Sequence, residues 1–307
     1  AALGYLGSAS PPENAENLPS PRTHIGEMTD LKEVLKLYSQ KKYEESIRAG
    51  RDLLRKNPRM SDVWASIANS YHKLGRNDEA IAALKEQDKL SPGSPITLSS
   101  FATEYLEMGN LDEAKLYAER AIAVNGPAEA HEVLATIYLQ KKQYDAAEQE
   151  ALKAQGGYRQ KRKPQVILAQ VAKARGDLPG ALAKLDEILR KSSEKEEGDL
   201  SNVNYLRGDI LARMGRNAEA ESAFKAEIAS FPNNGQAWTA LAVLYASEGR
   251  SDEARATLAD FARKAPNGRT YQAIGETFDV LGSPDEGRRW KAMARSAGFR
   301  GTLPSGS

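Results

Sequence analysis

Two tryptophans, Trp64 and Trp238, stand in opposite halves of the chain and head the same spaced pattern. Trp64 is followed by Ile67, Ala68, Tyr71, Gly75, Ala80, Leu84 and Pro92, and Trp238 by Leu241, Ala242, Tyr245, Gly249, Ala254, Leu258 and Pro266. The offsets are the same in both series. Gly75 and Gly109 are separated by the same interval as Gly215 and Gly249, about 34 residues, a spacing known from arrays of helical repeats. A period of that length replaces the two ordinary domains that 307 residues would suggest with an array of small, stacked units.

Other segments fall into phase. Tyr105, Gly109, Ala114 and Ala118 mark one unit; Leu134, Ala135, Tyr138 and Ala147 mark the next. A fifth carries Leu168, Ala169, Gly176, Ala181 and Leu185, and a sixth Gly208, Leu211, Gly215, Ala220, Phe224 and Pro232. A weaker opening unit runs from about Asp30 to Pro58, and a closing one holds Tyr271, Gly275, Phe278 and Gly282.

The spacing predicts helical hairpins. Trp64, Ile67, Ala68 and Tyr71 recur three and four apart, so they form one stripe on a helix. Gly75 suits the left-handed residue that ends it, and Asn77 or Asp78 can cap the next helix. Ala68 and Ala80 are small where the two helices cross, and Pro92 stops the second. One hairpin cannot bury both of its apolar faces, so stacking must complete the core. Tyr71 and Tyr245 are then core anchors; the alternative, exposed aromatics that recognise a ligand, fits their stripe less well.

These residues resemble the tetratricopeptide repeat, whose signature is an aromatic, a small residue, a Tyr, a small residue and a Pro at these spacings. The resemblance covers residues 27–299, about eight units, and implies an all-α, right-handed α-solenoid of antiparallel helical hairpins. It also implies a non-catalytic scaffold that holds another protein or peptide in a concave groove lined by the first helix of each pair. Residues of those helices pointing away from the stripe are the groove candidates: Asn69, His72, Lys73, Thr103, Gln170, Lys173, Tyr205, Asp209 and Arg213. Cationic and amide groups of this kind suit a peptide's carbonyls or an acidic side chain. The family's carboxylate clamp uses Lys and Asn on neighbouring repeats. Asn69 and Lys73 echo it, but the next unit offers Ser99, Thr103 and Glu107 in place of bases.

Departures from the pattern carry information too. His131 replaces the aromatic that opens a repeat, where a satisfied core histidine is expected, and Lys142 stands where a hinge Gly is usual. Residues 192–199, SSEKEEGD, insert a polar stretch, expected as an exposed loop or a frayed helix end. In the last unit Arg288 and Lys291 occupy positions that would face a further repeat, which suits a cap, with Trp290 covering the final hairpin and residues 300–307 a flexible tail.

Composition excludes more than it selects. Lys and Arg number 43 against 42 Asp and Glu, a balance that points to neither nucleic acid nor an anionic membrane. There is no Cys, hence no disulfide framework, thiolate metal site or cysteine nucleophile. His24, His72 and His131 are widely separated in sequence, so no metal site is expected from spacing, and no cofactor is implied. No phosphate-binding glycine loop or nucleophile elbow occurs, and no catalytic residue is expected. No apolar run reaches the roughly 18 residues of a membrane span. Arg159, Lys161, Arg162 and Lys163 form a basic run with two readings: a solvated turn, or a seat for an acidic peptide or phosphates. Only Tyr158 accompanies it as a stacking aromatic, which ranks nucleic acid low. Oligomeric state does not follow from any of these features.

The N-terminal residues 1–26 read as a tail segment and a Pro/Ser-rich linker. Ala2-Leu3-Gly4-Tyr5-Leu6-Gly7 resembles the closing segment of bacterial sulfatase-type hydrolases, some of which continue through such a linker into tetratricopeptide repeats. Pro21-Arg22-Thr23-His24-Ile25, followed by a helix and Lys42-Tyr43-Glu44-Glu45-Ser46-Ile47, is similar to that junction. The resemblance implies a hydrolase domain ahead of residue 1 and a periplasmic or extracytoplasmic setting; without such a domain the expected setting is the cytoplasm.

Overall fold

The computed structural model describes residues 21–155, 162–192 and 200–299. Sixteen α-helices and no strand occur among them, so the fold is an all-α helical-repeat solenoid. In chain order the pairs are α1 (Pro21–Ser39) and α2 (Tyr43–Lys56), α3 (Ser61–Lys73) and α4 (Asn77–Leu90), α5 (Pro95–Glu107) and α6 (Leu111–Ala123), and α7 (Glu129–Gln140) and α8 (Tyr144–Gln155). They continue with α9 (Arg162–Ala174) and α10 (Leu178–Ser192), α11 (Val203–Arg213) and α12 (Asn217–Ser230), α13 (Gly235–Ser247) and α14 (Ser251–Lys264), and α15 (Gly268–Val280) and α16 (Pro284–Ser296). The chain divides into two compact units, one up to Val133 and one from Leu134, with the boundary inside α7. No helix among the described residues is long and apolar enough to cross a membrane.

A single turn type closes every pair. After α3, Gly75 takes φ +69°, its N–H donates to the His72 carbonyl at 2.9 Å, and the Arg76 N–H reaches the Tyr71 carbonyl at 3.0 Å. These two bonds satisfy carbonyls that the helix end would otherwise leave open. Gly109, Gly176, Gly215, Gly249 and Gly282 repeat the arrangement. Lys41 and Lys142 hold the same position in the first and fourth pairs, at φ 61° and 57°. A side chain in that region costs about 1–2 kcal/mol relative to ordinary helix. The left-handed residue recurs at the repeat period throughout, except that the interval from Gly176 to Gly215 is longer because it contains the polar insertion.

That turn corrects the expected capping. Asn77 and Asp78 lie inside α4; Arg76 is its N-cap, and no side chain caps it. The chain passes straight from the end of one helix into the start of the next, so the preceding helix dictates where α4 begins. Asp78 and Glu79 instead place negative charge in its first turn, where the helix dipole favours it. A second correction concerns the linker. α1 begins at Pro21, so residues 21–26, assigned above to the linker, form its first turns. Proline suits that position because the N–H it lacks would have no intrahelical partner. Residues 1–20, 156–161, 193–199 and 300–307 lie outside the described residues, and with them the Ala2–Gly7 segment, nearly all of the insertion and the C-terminal tail.

In the N-terminal unit the core is built from Ile47, Leu53, Val63, Ile67, Tyr71, Leu84 and Phe101 with Ala68 and Ala80 between the helices. The second unit holds a smaller cluster around Ala147, Ala151, Ile167 and Val171, and a larger one from Ala169 to Phe278. Tyr71 and Tyr245 are 3% and 4% exposed, as core anchors should be. Trp64 and Trp238 each tie their repeat to the preceding turn: the Trp64 indole N–H donates to the Pro58 carbonyl at 3.2 Å, and that of Trp238 to the Pro232 carbonyl at 2.9 Å. Gly208 stands one period before Ala242, and Phe224 one period before Leu258. A Cβ on Gly208 would lie 2.6 Å from the Phe224 ring, so the missing methyl makes room for the larger side chain. In the closing pair Tyr271 packs on Trp290 with ring centroids 5.7 Å apart, and Lys291 pairs with Asp279 of α15. His131 is half-buried rather than enclosed in the core, because it opens α7 near the surface.

Candidate functional site

Within each unit the first helices of successive pairs lie side by side. α1 touches α3 in the N-terminal unit; α9 touches α11, α11 touches α13, and α13 touches α15 in the second. Side chains about one repeat apart therefore meet across neighbouring first helices.

On α3, Asn69 and Lys73 are exposed and His72 is half-buried. On α5, the half-buried Thr103 returns its hydroxyl to the Ser99 carbonyl at 3.1 Å, which spends its donor. His72 Nδ1 lies 2.8 Å from Oε1 of Glu104 and 3.5 Å from Oε2 of Glu107. The nearer approach is a close ion-pair contact whose N–H···O alignment is poor. The close Glu104 carboxylate raises the His72 pKa, burial opposes it, and the charges of Glu104 and Glu107 add to the rise. The Asn77 amide donates to Glu107 Oε2 at 3.2 Å. Three groups with metal-ligand chemistry thus stand with one ligand atom each inside a 4.8 Å span. Spacing in the sequence hid them, because the histidine and the carboxylates belong to different repeats. The only signal was that both carboxylates follow the histidine by close to one period.

Two helix pairs into the second unit, the balance is reversed. Lys173 Nζ on α9 and Arg213 Nε on α11 both bind Oδ2 of Asp209 at 3.0 Å. One carboxylate serves two cations, leaving Arg213 the more exposed and carrying the excess charge. Gln170 and Tyr205 are half-buried beside them. Tyr205 packs on Phe224, and burial, followed by the Asp209 charge, pushes its phenol pKa up. Of the basic run, Arg159 and Lys161 lie outside the described residues. Arg162 and Lys163 open α9, the first half-buried and engaged with a partner, the second exposed.

Two features had no place among the candidates. A cleft of about 590 Å³ lies along α13 and α15, lined by Gln236, Thr239, Asn267, Arg269 and the edge of Phe261. Their periodicity is that of any exposed helix face, so only packing distinguishes them. The other is a structural clamp. Arg250 stacks 4.0 Å above the Tyr245 ring and reaches Oε2 of Glu221 at 2.7 Å, while the Tyr245 hydroxyl donates to Oε1 of the same carboxylate at 3.0 Å. Arg250, and then Lys225, hold the Glu221 pKa down to about 2. Arg76, at the matching position, stacks 4.7 Å over Tyr71 and reaches Glu44 at 3.2 Å.

Stacked helical hairpins with repeated left-handed turns define a helical-repeat protein. Residues 31–95, 100–162 and 205–269, more than half of the chain, match the family described as Tetratricopeptide repeat. The chain belongs to the tetratricopeptide repeat family. Among solved structures it is similar to a chain of the APC/C hetero-tetramer Cut9–Hcn1, with a TM-score of 0.68 and 15% identity over 81% of this chain and 48% of that one. It therefore spans about half the length of that relative, and the likeness is one of fold. A tetratricopeptide repeat protein from Parabacteroides merdae also aligns, with a TM-score of 0.47 and 16% identity over 89% of this chain and 94% of that one. No curated protein sequence matches.

Proposed function

We propose that this chain is an interaction scaffold that holds extended polypeptide segments against its first-helix faces. The observation that carries this reading is what the first helices leave unburied. Their apolar stripes are consumed by the hairpin cores, and Asn69 and Lys73 of α3 and Arg213 of α11 remain exposed with amide and cationic groups. Such groups hydrogen-bond backbone carbonyls and pair with acidic side chains. A photo-crosslinking residue placed at Asn69 or Arg213 should trap a bound polypeptide, and one at the exposed Glu119 of the second helix α6 should not. Crosslinks confined to Glu119, or partner retention after Asn69, Lys73, Lys173 and Arg213 are all replaced by Ala in a folded protein, would move the contact to another face.

The scaffold also suits a role as the accessory module of a sulfatase-type hydrolase, a reading supported by the Ala2–Gly7 segment and the junction-like stretches that follow it. It requires a Cys/Ser-x-Pro-x-Arg motif in the reading frame upstream, and an upstream frame without that motif would remove it.

A further inference from the structure

Glu104 is 4% exposed, and its Oε2 has no hydrogen-bond donor among the described residues. A buried carboxylate oxygen in that state is costly, and native folds rarely leave one. His72 does not relieve it, since Nδ1 sits against Oε1 out of hydrogen-bond alignment. Charge is unbalanced as well. With His72 protonated, the two carboxylates leave one negative charge in excess; with it neutral, they leave two. A divalent cation corrects both defects, because it takes lone pairs in place of N–H donors and its charge equals that of the two carboxylates.

We propose that His72, Glu104 and Glu107 bind a divalent first-row metal ion, with Zn²⁺ the best fit, and that the ion staples α3 to α5. The three ligand atoms already lie within 4.8 Å of one another. Tetrahedral ligands about 2.0–2.2 Å from zinc stand about 3.3–3.6 Å apart, and Nδ1 of His72 and Oε2 of Glu107 are at 3.5 Å. Glu104 Oε1, 2.8 Å from Nδ1, reaches that spacing from His72 by withdrawing less than about 1 Å, and bidentate binding by Glu104 would bring its Oε2 to the ion as well. Imidazole and carboxylate together suit zinc and its neighbours, whereas copper(I) prefers thiolate or thioether. The Asn77 amide on Glu107 supplies the orienting hydrogen bond that metal-bound carboxylates usually have. Three protein ligands leave a fourth position, on the side where Glu107 is exposed. This assignment goes beyond the polypeptide-binding reading and stands or falls independently of it.

The test is calorimetric titration of the chelator-treated full chain with ZnCl₂ at neutral pH, repeated with CoCl₂ to read ligand-field absorption. One ion per chain is expected, with affinity lowered roughly tenfold or more by each of His72→Gln and Glu107→Gln, and unchanged by His131→Gln. Glu107 is exposed, so its variant keeps the helical fold and decides the matter even where Glu104→Gln loses helicity. Absence of saturable binding, or binding that survives both His72→Gln and Glu107→Gln, would overturn the site.

Discussion

Between α3 and α5 one imidazole faces two carboxylates; between α9 and α11 one carboxylate faces two cations. Both groups arise from the same rule, that first helices one repeat apart touch, so residues separated by about one period become neighbours. His72 and Lys173 hold the same place relative to their turn glycines, Gly75 and Gly176, yet one meeting point has a surplus of negative charge and the other of positive. The repeat supplies the meeting point, and a few side chains decide whether it favours a cation or an acidic group. Burial widens the difference: Glu104 is enclosed, whereas Lys173, Asp209 and Arg213 all remain in contact with solvent.

The largest expected effects test whether the two units share one architecture beneath those differences. Tyr71→Ala and Tyr245→Ala should each destabilise the unit concerned by about 3–5 kcal/mol, as deletions of large buried aromatics do. Urea unfolding followed by circular dichroism measures this, and a loss below about 1 kcal/mol at either position would deny it the role of core anchor. Next comes the Gly208–Phe224 packing pair of the second unit. Gly208→Ala should cost about 1–3 kcal/mol because its methyl meets the Phe224 ring, and Phe224→Leu in the same chain should recover part of that loss. A double variant no more stable than the single one would show that the two positions do not compensate.

Smaller effects probe the turns. Gly249→Ala should lose about 1 kcal/mol through backbone strain alone, since nothing lies within 4 Å of the added methyl. Lys142→Gly should gain up to about 1 kcal/mol, the relief of strain being partly offset by a more flexible unfolded chain. Equal signs for the two changes in thermal unfolding would contradict the common left-handed turn. The mildest effect distinguishes the units by pH. The Glu221 pKa is lowered from 4.5 to about 2, so the stability its clamp contributes is complete above about 4.5 and is lost as pH falls towards 2. Glu221→Gln should flatten the acid dependence of the second unit over that interval, and an unchanged acid-unfolding profile would count against the clamp.

Much of this was legible in the sequence, and the unread part has a physical pattern. The glycine ladder announced the turns because a left-handed residue is a local backbone demand. It also exposed Lys142 as an exception, which the structure places at φ 57°. Tyr71 and Tyr245 were readable as core because a three-and-four spacing fixes which face of a helix is buried. The caps were misread for the opposite reason. Asn77 and Asp78 are good capping residues, but the tight turn leaves no room to use them, and the preceding helix sets the register. The candidate residues lie on α3, α5, α9 and α11, the first helices of their pairs, but their partners were hidden. Nothing near Lys173 in sequence announces that Asp209 will hold it, and nothing near His72 announces Glu104.

By itself the sequence determined the repeat, its period, the helical hairpins and which residues close each turn, because all of these are encoded within about one repeat length. Tertiary structure alone decided which polar groups meet across neighbouring helices. It also decided which of them are buried and therefore whether a first-helix face is acidic or basic. Such contacts depend on the packing of one repeat against the next, where a shift of a fraction of a helical turn changes every partner. His72 is the clearest case: a solitary histidine along the chain, and in the folded unit one of three converging ligands.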